Sequence, residues 1–93
     1  MIIDLLYKGK ITAGTLEKNF KEYSFLFIVQ KSNNYVVSSN MVVDYIKTTY
    51  LLGVYHDSSC AWIKINNNNN KDFTIEQIIG FSSQDDLEIY GVK

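Results

Sequence analysis

Runs of strand-forming residues recur along this chain at spacings of about 8–12 residues, and no proline interrupts any of them. That rhythm constrains the fold more than any single motif. Residues 2–7 alternate weakly and end at Lys8-Gly9, which reads as a turn, and Ile11-Thr12 is a short extended piece. Phe25-Leu26-Phe27-Ile28-Val29 is the clearest strand: an unbroken apolar run of this kind suits a central strand covered on both faces. Asn33-Asn34 suits a tight hairpin, because Asn tolerates left-handed backbone, and Tyr35-Val36-Val37-Ser38 then returns antiparallel. Residues 41–46 read as a further strand that bends near Asp44. Residues 48–52 follow as another, with Gly53 as a bulge.

The second half continues the pattern. His56-Asp57-Ser58-Ser59 is a turn, and residues 60–65 alternate with Ala61, Ile63 and Ile65 on one face. The asparagines at 66–70 form a loop tip that satisfies backbone groups locally. Residues 73–79 and 87–93 are the last two strands, with Leu87 and Ile89 facing one way and Glu88 and Tyr90 the other. A terminal segment frays unless a sheet holds it, so this last strand is expected to be paired. Residues 15–24 admit two readings. Leu16, Phe20 and Tyr23 fall at helical spacing behind Thr15 as a cap, or Thr15-Leu16 is extended and a Lys/Asn-rich bend follows.

The expected architecture is therefore all-β. It is a single domain over residues 1–93, a small antiparallel, jelly-roll-like sandwich of about seven or eight short strands with one short helical turn near 15–23. Its edges must be managed by closure or by partners.

Charge and composition remove several functions. The net charge is −1 and all nine basic residues are lysines, dispersed along the sequence, so nucleic-acid binding is disfavoured. No apolar run approaches the roughly 18 residues of a membrane span, and the first residues lack the charged and cleavage regions of a signal peptide. Cys60 is the single cysteine, which rules out an intramolecular disulfide and leaves too few soft ligands for a zinc site. No glycine-rich phosphate loop or calcium loop occurs, and no cofactor is expected. His56, Asp57, Ser59 and Cys60 bring base, acid and nucleophile types together. Catalytic groups are assembled from distant segments, however, and neighbours in a turn rarely face one another, so these read as a polar turn and no enzyme is expected.

The aromatics are the more informative set. Tyr35, Tyr55, Trp62 and Tyr90 lie in or beside strands next to hydrogen-bonding residues, the composition with which proteins hold sugars and partner surfaces. They are the candidate contact residues. A separate acidic stretch, Asp85, Asp86 and Glu88, offers a phosphate-mimicking patch for a basic partner.

Several segments resemble a small β-domain found at the ends of bacteriophage tail-fibre, baseplate and other virion appendage proteins. Leu6-Tyr7-Lys8-Gly9 with Ile11-Thr12-Ala13-Gly14-Thr15 is similar to the opening of these modules. Tyr23 to Val29 is similar to their central strand, and Tyr55-His56-Asp57-Ser58-Ser59-Cys60-Ala61-Trp62-Ile63-Lys64 to their Ser-Ser-Tyr-Ala segment. Phe73-Thr74-Ile75 and Leu87-Glu88-Ile89-Tyr90-Gly91-Val92-Lys93 resemble their closing strands. The Lys- and Glu-rich stretch at 16–22 departs from the pattern. The resemblance implies a non-enzymatic virion part, often trimeric, that self-associates, joins other virion proteins or binds host-surface glycan. The rival expectation is a phage-encoded counter-defence inhibitor in the host cytoplasm, bound to a host defence protein or its nucleotide signal.

Overall fold

The computed structural model describes residues 2–32, 36–43, 50–56, 58–65 and 69–93, with backbone alone at 41 and 50–56. Two antiparallel four-stranded sheets face each other across one core. The first has the order β1-β8-β3-β4, from β1 (Ile3–Lys10), β8 (Asp86–Val92), β3 (Phe25–Lys31) and β4 (Val36–Val42). The second has the order β2-β7-β6-β5, from β2 (Gly14–Thr15), β7 (Asp72–Ile79), β6 (Ser59–Ile65) and β5 (Tyr50–His56). The chain alternates between sheets at both ends and forms a hairpin, β3-β4, and a meander, β5-β6-β7, in the middle. The small antiparallel β-sandwich expected from the strand rhythm is thus present, with β3-β4 and β5-β6 as hairpins within one sheet each where a jelly roll would cross between sheets.

The two-residue period sorts the side chains. Leu26, Ile28, Leu87 and Ile89 point inward from the first sheet, and Ala61, Ile63, Ile65 and Phe73 from the second, all at most 2% exposed. Leu16, Phe20, Tyr23 and Phe81 complete the core from the connections. Leu16, Phe20 and Tyr23 are all buried, and the short helical turn expected near 15–23 is present as one 3-10 turn, Phe20–Glu22. Its N-cap is Asn19 rather than Thr15: the Asn19 side-chain oxygen accepts from the Lys21 amide at 2.9 Å. Thr15 is occupied in β2, paired with Asp72.

Several boundaries differ from the sequence expectation, each for a reason of pairing. Lys8-Gly9 is not a turn: β1 continues to Lys10 because β8 pairs with it along its whole length, Gly9 lying opposite Leu87. Gly9 also accommodates Tyr7, whose hydroxyl would come within 2.8 Å of any Cβ there. Ile11-Thr12 is a bend and not a strand. Ile11 is buried and its amide donates to the Asp85 carbonyl at 2.9 Å. Residues 36–38 and 41–42, expected in two separate strands, belong to one strand, β4, because β3 pairs it without a break from Lys31–Val36 to Phe25–Val42; residues 35 and 44–46 of those expected strands lie outside the described residues. The expected bend at Asp44 and the Asn33-Asn34 turn lie outside the described residues. Gly53 is not a bulge: it sits in register opposite Trp62.

Bulges occur elsewhere. Leu6 is the extra residue of β1 opposite β8, so Leu6 and Tyr7 both turn toward the core, and the freed Leu6 carbonyl accepts from the Glu17 amide at 2.8 Å. Glu76 is the extra residue of β7 opposite β6. At the asparagine tip, the Asn69 side chain accepts from the amides of Lys71 and Asp72, the local satisfaction expected of that segment.

Candidate functional site

The strongest departure from expectation is on β3. Its apolar run reads as a strand covered on both faces, yet only one face is covered. Leu26 and Ile28 are buried, whereas Phe25, Phe27 and Val29 are half-buried on the outside of the first sheet. Because β3 lies between β8 and β4, these side chains sit in the middle of an open surface.

The registers resolve that surface into rows. Ile3, Val92, Phe25 and Val42 lie side by side across β1, β8, β3 and β4. The next row is Leu5, Tyr90, Phe27 and Asn40. Past the bulge come Lys8, Glu88, Val29 and Ser38, then Lys10, Asp86, Lys31 and Val36. One half of the face is apolar, with Val42 79%, Ile3 57% and Leu5 46% exposed. The other half is charged. Two hollows mark the halves: one of about 250 Å³ lined by Ile3, Phe25, Phe27, Tyr90 and Val92, and one of about 540 Å³ lined by Lys8, Gly9, Lys31, Asp86 and Glu88.

Glu88 joins the two halves. It accepts from the Tyr90 hydroxyl and from Lys31 Nζ at 3.3 Å. The Tyr90 hydroxyl, more than the lysines, holds the Glu88 carboxyl below its usual range, and Glu88 in turn pushes the Tyr90 phenol up. Lys10 Nζ lies 2.8 Å from Asp86 and holds that carboxyl down. The lysines dispersed in sequence therefore converge here in space, but onto carboxylates. Among the described residues Lys8 alone of these three lysines makes no ion pair. The same pairing occupies the acidic patch: Asp86 and Glu88 are matched by cations, and Asp85 accepts from the Ser82 amide at 3.1 Å and from Gln30.

The sequence candidates do not form one cluster. Tyr90 lies on the outer face of the first sheet, and Trp62 on the outer face of the second, opposite Gln77 and Gly53. Tyr55 pairs with Cys60 in the β5–β6 ladder, its side chain outside the described set, and Tyr35 lies outside it altogether. Phe25, Phe27 and Ile3 were missed as surface groups, because a continuous apolar run carries no sign of which face stays open. His56 and Ser59 are ladder partners, Cys60 is half-buried, and Asp57 lies outside the described residues. No group of metal-ligating side chains occurs among the described residues.

What this arrangement can do is adhere. An apolar strip of aromatic and aliphatic groups next to matched charges has the make-up of an interface core with its polar rim. No family model matches this chain, and neither the curated proteins nor the solved structures contain a significant match.

Proposed function

We propose that this chain is a non-enzymatic module of the bacteriophage virion-appendage kind, working in a tail fibre or baseplate through the surfaces it presents. It associates with copies of itself and with other virion proteins, and grips host-surface carbohydrate. The observation that carries the reading is the open face of the first sheet, where Ile3, Leu5, Phe25, Phe27 and Val42 border solvent. A domain this small gains stability by covering such a strip. The second sheet supplies a separate surface around Trp62, flanked by Gln77 and Lys64, with the aromatic and hydrogen-bonding groups a sugar needs. The resemblance of the closing strands to phage appendage domains agrees with this role.

The counter-defence alternative has weaker support, because Asp86 and Glu88 are already matched by Lys10 and Lys31 and offer no bare anionic patch. Binding of the purified protein to an array of bacterial surface glycans, with Trp62→Ala and Tyr90→Ala compared, tests the proposal. Glycan capture that weakens in Trp62→Ala supports it. Capture of no glycan, together with a single host enzyme recovered stoichiometrically from lysate, overturns it in favour of inhibition.

A further inference from the structure

We infer that the partner covering the first sheet is a second copy of the same chain, related by a two-fold axis that runs parallel to the strands between β8 and β3. The inference rests on the self-associating reading above and gives it a face, a symmetry and a stoichiometry.

The apolar part of the outer face is complementary to itself under that operation. A two-fold along the strands sets β1 over the partner's β4, and β8 over the partner's β3, so each row faces the same row of the partner. Ile3 then meets Val42, Phe25 meets Val92, and Tyr90 meets Phe27, so the apolar half closes on the apolar half. In the last row Asp86 meets Lys31, so opposite charges face each other there, while Leu5 meets Asn40, Glu88 meets Val29 and Lys10 meets Val36. Turning the axis across the strands would instead set Val92 over Asp86 and Phe25 over Lys31. That arrangement also sets Ile3 over Lys10 and Leu5 over Lys8, so it buries more charge against apolar groups and carries the larger desolvation penalty. Two sheets stacked face to face keep their strands within about 30° of each other, an offset that a two-fold bisecting the strand directions accommodates.

The unbroken apolar run of β3 points the same way. Its composition suits a strand covered on both faces, and the single chain covers only one. In the pair, Phe25 and Phe27 gain the second cover that the run implies.

Size sets the strength. Four strands about 4.8 Å apart and about seven residues long at 3.4 Å present roughly 450 Å² per copy, about 900 Å² for the pair. That is at the lower limit of roughly 1,000 Å² for a specific interface, so the dimer is weak and concentration-dependent. Local concentration within a virion appendage would favour it.

The decisive measurement is sedimentation equilibrium across a wide concentration range, with a charge pair placed at the Ile3–Val42 contact. The wild-type mass should rise from monomer to dimer and stop there. Val42→Glu and Ile3→Lys should each weaken association at least tenfold while keeping the wild-type circular dichroism, since both positions are mostly exposed. An equimolar mixture of the two variants should associate again. In the heterodimer one Ile3–Val42 contact is intact and the other becomes an ion pair. If either variant fails to fold, Leu5→Lys on the same face takes its place with the same expected loss. A wild-type monomer at every concentration, a trimer, or variants that associate like wild type would each overturn the inference. So would two folded variants that stay monomeric when mixed. Glycan binding measured on the monomeric variants separates the two proposals: glycan capture without any dimer sinks the two-fold alone, and a dimer without glycan capture sinks the carbohydrate role alone.

Discussion

The Tyr23 ring lies directly on Gly91, so close that a Cβ at position 91 would sit 2.6–2.7 Å from its carbon atoms. Gly91 is an inward position of β8, opposite Asp4 on β1 and Leu26 on β3. The missing side chain lets a fully buried tyrosine from the β2–β3 connection pack against the end of β8, on the inner side of the first sheet. Tyr23 is thereby placed to donate its hydroxyl to Asp4 Oδ2 at 2.7 Å, and Lys93 Nζ lies 5.6 Å from its ring centroid.

Gly91→Ala should therefore destabilise the fold by about 1–3 kcal/mol, the usual cost of overpacking a filled core, with the upper end favoured because the obstacle is a whole ring rather than a flexible tip. Urea titration followed by tyrosine and tryptophan fluorescence reads the loss. A wild-type midpoint would mean that the ring does not rest on the strand.

The Tyr23–Asp4 pair also makes stability depend on pH at both ends. The Tyr23 hydroxyl, more than Lys18 and Lys93, pulls the Asp4 carboxyl below its ordinary range, against an opposing push from partial burial. A lowered folded value means that the contribution is present above the unfolded value of about 4 and is lost as the pH falls through the folded one. Asp72, Asp86 and Glu88 are also pulled down and act in the same direction. Burial, then Asp4, pushes the Tyr23 phenol up. Its contribution is present below about 10 and is lost as the pH rises further. Thermal melts across pH should show Tyr23→Phe losing much of the alkaline decline and only part of the acid one, since the other carboxylates remain. An unchanged alkaline limb would refute the assignment.

Gly80 ends β7 with φ of 77°, in the left-handed region, and a Cβ there would lie 2.1 Å from the Ser59 hydroxyl oxygen. Gly80→Ala combines backbone strain of about 1–2 kcal/mol with that collision. Ser59→Ala in the same chain should recover only part of the loss, because the Ser59 Cβ and Cα stay within 2.9 and 3.2 Å. Full recovery in denaturation midpoints would show that the backbone angle costs nothing here.

How far the sequence spoke for the fold can be seen strand by strand. Ala61, Ile63 and Ile65 alternate cleanly and are buried as a set, because one face of β6 meets the core and the other meets solvent. Leu16, Phe20 and Tyr23 at helical spacing signalled the short helical turn near 15–23, which is a single 3-10 turn at Phe20–Glu22, but not its cap, which is Asn19 and not Thr15. The extent of β1 and β4 was hidden because Lys8-Gly9 and Ser38-Ser39-Asn40 are poor strand formers held extended by neighbours distant in sequence. The interaction surface was the least legible part. Its rows are assembled from four strands, and the bulge at Leu6, invisible in the sequence, decides which lysines of β1 share a face with Ile3 and Leu5.

Gln30 gives the last prediction, and its sign runs against intuition. It points inward from the end of β3 and is 1% exposed. Its amide nitrogen reaches Asp85 only at 3.5 Å, and its side-chain oxygen has no hydrogen-bond partner among the described residues. A buried carbonyl left unpaired costs about 1–3 kcal/mol, whereas a bond this long returns little. Asp85 loses little if Gln30 goes, because the Ser82 amide still donates to it. Gln30→Met keeps the length and flexibility of the side chain and removes both polar ends, so it should be neutral or stabilising by up to about 2 kcal/mol. Gln30→Ala should be destabilising, because it opens a cavity at the same position. Urea midpoints for the two variants, read side by side, separate the terms. A methionine variant as weak as the alanine one would mean that the Gln30–Asp85 contact holds this end of the sandwich together.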